Sequence, residues 1–184
     1  EFRTHTDFTI DNLTGLYTID YSLDSQESGG ISDPAFLKQV EAFANWYRAK
    51  DEVVHVSTYT DILKRLNKNM HGDDAKKYHL PDNRDLAAQY LLLYEMSLPY
   101  GLDLNNQINV DKSSLRFTVA TETLSTNEVL ALNESAEQWL ADNAPAIAGG
   151  NGTGTTIMFA NIGQRNIRAM LIGTVLALVL ISLI

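Results

Sequence analysis

Residues 16–23 of this chain read LYTIDYSL, and apolar and polar side chains alternate along the whole stretch. A period of two is typical of a strand that buries one face, so the stretch predicts a half-buried β-strand. The inward side of this strand is expected to consist of Tyr17, Ile19, Tyr21 and Leu23. The polar segment 24–31 that comes next contains two adjacent glycines and is predicted to be a loop.

The residues after this loop carry the start signal of a helix. Asp33 is a favoured N-cap residue, and Pro34 suits the first helical position. Apolar side chains then recur at helical spacing, which predicts a helix over about residues 34–50. Its inward side chains are expected to be Phe36, Val40, Phe43, Ala44 and Tyr47. Residues 53–57 (VVHVS) are short and β-branched, and they predict a second, buried strand.

A second unit of the same kind lies further along the chain. Residues 115–121 (LRFTVAT) alternate like a strand, and residues 125–128 (STNE) match the capping box that opens a helix. Pro145 is expected to end this helix, whose inward side chains would be Val129, Leu132, Ala136, Trp139 and Leu140. Residues 149–156 (GGNGTGTT) predict either a short fourth strand or a linker.

Between the two units, residues of about 59–105 predict a helical insertion. One helix would carry Ile62, Leu63, Leu66 and Met70 on its inward face and close at Gly72. Another would start after residues 81–83 and be lined by Leu86, Tyr90, Leu93 and Met96.

The order of elements is therefore βαβ followed by βαβ, which predicts an α+β, ferredoxin-like split βαβ domain. We expect Phe43 and Trp139 to meet in one core on one side of the sheet, together with Tyr17, Ile19, and Leu115 or Phe117.

The last residues, 169–184 (AMLIGTVLALVLISLI), form an uncharged run of 16 residues. At about 1.5 Å per residue the run reaches roughly 24 Å, short of the ~30 Å hydrocarbon core of a bilayer. The run predicts a membrane helix that is cut short, and with a first residue other than Met we expect a fragment of a longer protein. A buried helix of a soluble protein is the alternative, but such a helix normally keeps a polar stripe.

Composition and motifs narrow the function classes. A net charge of −9, from 14 basic and 23 acidic residues, would repel a phosphate backbone, so nucleic acid is not an expected partner. The chain has no cysteine, which excludes a disulfide scaffold and thiol catalysis. The four histidines lack the spacing of metal ligands, and no nucleophile motif is present. We therefore expect no metal, no cofactor and no catalytic residue.

Three stretches are more specific than their composition requires: LNKNMHGDD at 66–74, YLLLYEMS at 90–97 and IGQRNIR at 162–168. Together with similarity over nearly the whole chain, they resemble the large extracytoplasmic loop of exporters in the resistance-nodulation-division superfamily. More narrowly, they are similar to the hydrophobe exporter branch that includes hopanoid transporters and the mycobacterial membrane large proteins.

The resemblance implies that residues 1–157 are the second periplasmic porter domain of an exporter in a bacterial inner membrane. Residues 158–184 would then be a lead-in and a truncated transmembrane helix. The implied function is proton-driven export of hydrophobic or lipid-like substrates, with the coupling residues outside this chain. The implied partners are the remainder of the exporter chain, membrane lipid, a hydrophobic small molecule or lipid as substrate, and a second copy in a homo-oligomer.

Two alternatives are weighed at this point: one of topology, which is discounted, and one of function, which stays open. Arg165 and Arg168 precede the apolar run, and the positive-inside rule alone would place the domain in the cytoplasm. We discount that rule here, because large domains translocate largely regardless of charge. The second alternative is the extracytoplasmic sensory domain of a membrane-anchored receptor.

The insertion contains more apolar and aromatic side chains than a minimal split βαβ unit requires. They either pack on the domain and on the partner loop of the exporter, or line part of a lipid-accepting groove. The candidate groove residues are Ile62, Leu66, Met70, Tyr90, Leu93, Tyr94 and Met96.

Overall fold

The computed structural model describes His5, Phe8, Gly15, residues 17–99 and residues 104–183. Its centre is one four-stranded sheet in the order β2-β3-β1-β4, in which all hydrogen-bonded neighbours are antiparallel. The strands are β1 (Tyr17–Asp24), β2 (Val53–Ser57), β3 (Ser114–Thr121) and β4 (Ala148–Thr153). The Gly-rich segment near residue 150 is thus a strand rather than a linker. Leu16, which the sequence assigned to the first strand, lies outside the described residues.

Two helices connect strands that run parallel to each other with one strand between them. Helix α1 (Pro34–Arg48) leads from β1 to β2, the two strands that flank β3 in the sheet. Helix α4 (Thr126–Asn143) leads from β3 to β4, the two strands that flank β1. The chain is therefore an α+β protein, as the alternation of strand and helix patterns predicted.

The caps of both helices are those read from the sequence. Asp33 Oδ1 accepts hydrogen bonds from the backbone amides of Ala35 and Phe36, at 2.8 and 3.1 Å. At the start of α4, the Ser125 side chain accepts from the Glu128 amide, while the Glu128 carboxylate accepts from the Ser125 amide. These bonds satisfy amides that have no partner within the helix, and they fix both starting points.

The core lies between the sheet and these two helices. The rings of Phe43 from α1 and Trp139 from α4 stack with centroids 5.5 Å apart, and Phe117 of β3 lies 4.9 Å from Phe43. The predicted meeting of Phe43 and Trp139 on one side of the sheet is confirmed. Tyr17 was expected in this core, but it is 40% exposed because it stands at the first position of β1.

The expectation of a buried second strand is wrong. β2 pairs with β3 alone and forms one edge of the sheet. Only Val56 is fully buried in it, and Val54 is 47% exposed. A β-branched run looks the same at an edge and in the centre of a sheet, so the sequence could not distinguish the two.

The insertion contains helix α2 (Tyr59–Met70), a single 3₁₀ turn (Ala75–Lys77) and helix α3 (Arg84–Ser97). Both helices exist where predicted, but their buried faces are rotated from the expected ones. The buried residues are Tyr59, Thr60, Leu63, Lys64 and Asn67 in α2, and Ala87, Tyr90 and Leu91 in α3.

Polar side chains occupy the buried face of α2, and Lys64 and Asn67 find partners there, whereas the buried Tyr59 hydroxyl has none within the described residues. The Lys64 ammonium lies 2.6 Å from Glu41 Oε1 and 2.9 Å from Asp61 Oδ1. The Asn67 amide donates to the backbone oxygen of His79 at 3.0 Å and accepts from the Tyr90 hydroxyl at 3.0 Å. Hydrogen bonding removes most of the cost of burying these groups, so Ile62 and Leu66 remain half-buried beside them.

Helix α5 (Thr155–Leu183) comes after β4, separated from it by one residue, Gly154. The predicted lead-in and the predicted membrane helix are one continuous helix of 29 residues. At a rise of about 1.5 Å per residue, it is roughly 43 Å long.

Candidate functional site

Helix α5 is the first candidate for a functional feature of the molecule. An 18-residue window within it has a mean hydropathy of 2.0, and none of that window is buried by the rest of the described chain. Its length and composition are sufficient to cross a membrane. Only its first turns contact the domain, where Ile157 and Ala160 are buried.

The joint between the sheet and α5 is short. Gly154 has φ 107°, a conformation that residues with a side chain rarely adopt. A Cβ atom at this position would also lie 3.5 Å from Asp20 Oδ2 on β1. Because only Gly154 separates β4 from α5 and Ile157 is buried two residues into the helix, the start of α5 lies against the domain.

An open cavity of about 720 Å³ lies between the start of α4 and the part of α5 where the uncharged run begins, and every residue that lines it except Thr126 is exposed. One wall comes from the N-terminal end of α4 and the other from successive turns of α5. The lining residues are Ser125, Thr126, Asn127, Gln164, Ile167, Arg168, Leu171 and Ile172. Within the described part of the chain, no hydrogen bond or ion pair involves the guanidinium of Arg168. The cavity therefore combines an apolar wall with a cation that the described residues leave unpaired.

A second cavity of about 400 Å³ lies nearer the sheet and shares Thr126 with the first. Tyr17, Val129 and Phe159 contribute its larger side chains. Phe159 is 65% exposed despite lining this cavity. The two cavities together mark a groove between α4 and α5 that runs toward the membrane-length part of the helix.

The seven predicted groove residues differ widely in their exposure. Tyr90 is buried and bonded to Asn67, and Ile62, Leu66 and Tyr94 are half-buried against the core. The other three are exposed, by 53% for Met70, 44% for Leu93 and 76% for Met96. None of the seven lines the two cavities beside α5 that are formed by described residues.

Three apolar side chains form one exposed face of α3, which we call the α3 ridge: Leu92, Leu93 and Met96. Leu92 and Met96 are four residues apart, so they are neighbours on the helix surface, and Leu92 is 54% exposed. The sequence analysis placed Leu93 and Met96 on the inward face and did not single out Leu92, whereas the buried residues of α3 are Ala87, Tyr90 and Leu91. Adjacent exposed apolar groups of this size are typical of an interaction surface.

Opposite the core, the sheet carries a polar cluster centred on Asp20. Its carboxylate accepts two hydrogen bonds from Arg116, at 3.0 and 2.8 Å, and one from Thr118 at 2.6 Å. Burial alone would raise the pKa of Asp20, but these bonds outweigh it and hold the pKa below its usual value. A carboxylate committed to three donors is a structural group rather than a general base.

An ion-pair cluster holds the insertion on α1. Besides its bonds to Lys64, Asp61 lies 2.6 Å from Arg48, and Arg48 also faces Glu41 at 3.6 Å. Burial would lower the pKa of Lys64, but the hydrogen bonds that its ammonium donates to Glu41 and Asp61 outweigh burial and raise the pKa. Within the described residues, no group of three or more His, Asp and Glu side chains is arranged to hold a metal ion.

Comparison of the chain with protein-family models, with curated proteins and with solved structures finds no match in any of the three. The structure itself defines an α+β domain with a four-stranded antiparallel sheet, joined directly to an apolar helix of membrane-spanning length.

Proposed function

We propose that this chain is a periplasmic porter domain of a proton-driven exporter of hydrophobic or lipid-like substrates, with α5 inserted in a bacterial inner membrane. The observation that carries the proposal is the direct joint at Gly154 between the sheet and a membrane-length helix. In such an exporter, the membrane helices must move the extracytoplasmic domain, and a joint without a flexible linker transmits that movement.

The fold supports the same proposal at a finer level. The strand order β2-β3-β1-β4, with α1 and α4 as crossovers on one face, fits a ferredoxin-like split βαβ arrangement. The sequence stretches at 66–74, 90–97 and 162–168 that resemble the exporter family lie on α2 and the turn after it, on α3, and on α5. The resemblance therefore concerns the insertion and the joint to the membrane helix, the two parts that a minimal sheet domain would lack.

The α3 ridge is proposed to contact the remainder of the exporter chain or the substrate on its way through the protein. Leu93 and Met96 are the two groove candidates in this ridge, and Met70 is a third exposed candidate. Flexible Met side chains adapt to irregular apolar ligands, which suits a lipid-like substrate. The half-buried and buried candidates are proposed to support these residues from below, because they pack on the core: Ile62, Leu66, Tyr90 and Tyr94. The domain itself is proposed to catalyse no reaction and to need no cofactor, while a homo-oligomer would add a second copy of the same surface.

The export proposal is tested with the complete gene that encodes this chain. Cells carrying Leu93→Ser with Met96→Ser should export a fluorescent lipid more slowly, with membrane levels of the protein unchanged. Val54→Ser is the control, since it removes from the edge strand β2 an apolar group that is 47% exposed, close to the 44% of Leu93. Export that is unaffected by the ridge variant, or reduced equally by the control, would contradict a role of the ridge in transport.

The membrane side can be tested separately. The chain has no cysteine, so a single Ser97→Cys at the end of α3 gives a unique label site. A membrane-impermeant maleimide should label it in intact spheroplasts, and labelling only after lysis would place the domain in the cytoplasm.

The rigid joint also suits a membrane-anchored receptor, in which a ligand on the domain would shift α5. The gene sequence downstream of residue 184 distinguishes the two proposals. Several further apolar spans would favour an exporter, whereas a single span leading into a cytoplasmic signalling module would favour a receptor.

A further inference from the structure

The large cavity beside α5 lies at the level where a membrane surface would meet the protein. Ile167 and Arg168 border the uncharged run that starts at residue 169, and Leu171 and Ile172 lie within it. If α5 crosses a bilayer, the run occupies the hydrocarbon and Arg168 stands at the headgroups. The start of α4, which forms the opposite wall, is thereby held at the same level.

The two ends of this cavity differ in chemistry. Leu171 and Ile172 line the end nearer the apolar run, while Gln164 and Arg168 supply an amide and a cation toward the domain. Arg168 has no ion-pair or hydrogen-bond partner within the described chain, although the protein carries 23 acidic residues. The N-terminal amides of α4 are not the anion-binding groups here, because Ser125 and Glu128 already bond at that helix end.

We infer that this cavity binds an anionic membrane lipid, with the lipid phosphate on the Arg168 guanidinium and the first part of an acyl chain on Leu171 and Ile172. Guanidinium groups bind phosphate through two parallel hydrogen bonds, which gives Arg168 both charge and geometry for this ligand. A cavity of about 720 Å³ is within the size range of small-molecule sites. The inference rests on the membrane insertion of α5 in the proposed function, but not on export.

The same site gives a reason for one of the two arginines, Arg168, that precede the span on the side that we propose to be periplasmic. The positive-inside rule gives them no topological role there. Charge complementarity with a lipid phosphate does give Arg168 a role, and the acidic remainder of the protein makes a cation at the membrane surface distinctive.

The test compares two lipids with identical acyl chains on the purified chain in detergent. Dioleoyl phosphatidylglycerol and dioleoyl phosphatidylcholine are titrated separately, and native mass spectrometry measures the bound lipid. The variant is Arg168→Gln, and the matched control is Arg165→Gln. Arg165 carries the same charge and lies about one helical turn before Arg168, but it does not line the cavity. Circular dichroism confirms that both variants keep their helix content.

The expected result is a clear preference for phosphatidylglycerol that falls roughly tenfold or more in Arg168→Gln, the size of a lost charge-assisted hydrogen bond. Arg165→Gln should change the affinity by less than about threefold, and Arg168→Lys should restore only part of the lost affinity, because the cation returns without the two parallel hydrogen bonds of the guanidinium. Equal losses in the two glutamine variants would overturn the inference, since they would indicate only diffuse attraction. Equal binding of both lipids would overturn it as well.

Two further measurements distinguish this inference from a free-phosphate site and from the proposed membrane insertion of α5. Inorganic phosphate at millimolar concentration should not displace phosphatidylglycerol, and displacement would identify a free-phosphate site instead of a lipid site. Flotation of the chain with vesicles reports whether α5 enters a bilayer at all. Failure to float would contradict the membrane setting of the proposed function, whereas flotation without lipid preference would contradict only the inference.

Discussion

Replacing Gly152 with alanine should place a methyl group where the structure has no room for it. A Cβ atom on Gly152 would lie only 1.7 Å from Asn133 Oδ1 and 3.2 Å from the Ile19 side chain. Asn133 is fixed in this position, since it accepts from the Tyr21 hydroxyl at 2.9 Å and donates to Glu137 Oε1 at 2.8 Å. The methyl group can therefore be accommodated only if β4 or Asn133 moves.

The free-energy cost depends on which of these two routes the protein takes. Overpacking a tight site costs about 1–3 kcal/mol, and moving Asn133 aside loses two hydrogen bonds of about 1 kcal/mol each. We expect Gly152→Ala to lower the free energy of unfolding by roughly 2–3 kcal/mol. Asn133→Ala alone should cost about 2 kcal/mol, because it loses the same bonds. The double variant should cost little more than Asn133→Ala, since the obstructing amide is gone, which gives a coupling free energy of roughly 2 kcal/mol.

Urea unfolding in detergent, monitored by the fluorescence of Trp46 and Trp139, measures all three variants. Gly163→Ala is the matched control, because that helical glycine has no atom within 4 Å of an added Cβ. This variant should leave the free energy of unfolding unchanged or raise it by up to about 1 kcal/mol, because alanine is more favourable than glycine within a helix by about that amount. Additive costs in the double variant, within about 0.5 kcal/mol, would refute the argument that β4 and α4 approach each other through Asn133.

Three other substitutions test different parts of the structure. Phe43→Ala removes the centre of the aromatic core, and thermal unfolding should show a loss of about 3–5 kcal/mol; a loss below about 1 kcal/mol would mean that the core packs differently. Because the pKa of Asp20 is lowered from its ordinary value of 3.8, the ionised carboxylate stabilises the folded state at pH values above 3.8. This stabilisation is lost as the pH falls further and Asp20 is protonated. Asp20→Asn should thus flatten the fall in stability below about pH 4, by under about 1 kcal/mol because Arg116 is half-exposed. Lys64→Met leaves Glu41 without its closest cation and should cost about 3 kcal/mol in urea unfolding, whereas adding Glu41→Gln should recover part of the loss. Equal stability of the single and double variants would contradict that pairing.

The elements themselves were predictable because their signals are local. Asp33 and Ser125 mark helix starts by side-chain bonds to amides two or three residues away, and the alternation at 16–23 and 115–121 is a property of each strand alone. The buried faces of α2 and α3 were not predictable in the same way. Lys64 is buried because Glu41 on another helix pairs with it, and no spacing within residues 59–70 indicates that partner.

The candidate sites show the same division. Met96 and Leu93 could be identified from composition, but their exposure depends on which face of α3 packs, and the sequence placed both on the inward face. The cavity at Arg168 was beyond reach, because its other wall comes from Ser125 and its neighbours, far away in the sequence. The signal that could have pointed there was the pair of arginines beside the span, which fits poorly with the topology that the resemblance implies.

The connections of α5 decide how movement in a membrane would reach the domain. α5 continues from β4, β4 pairs with β1 within the sheet, and Ile157 and Ala160 anchor the first turns of the helix in the core. The Lys64 pairs in turn fix the insertion to α1. A tilt of α5 would therefore first move β4 and α4. The α3 ridge would move with them only if the sheet and α1 move together as one body. Because the bonds that join these parts are buried aromatic contacts and ion pairs rather than flexible segments, the proposed porter role requires the domain to shift as a unit. Weakening the joint at Gly154, for example by lengthening it, should uncouple export from the membrane helix before it unfolds the domain.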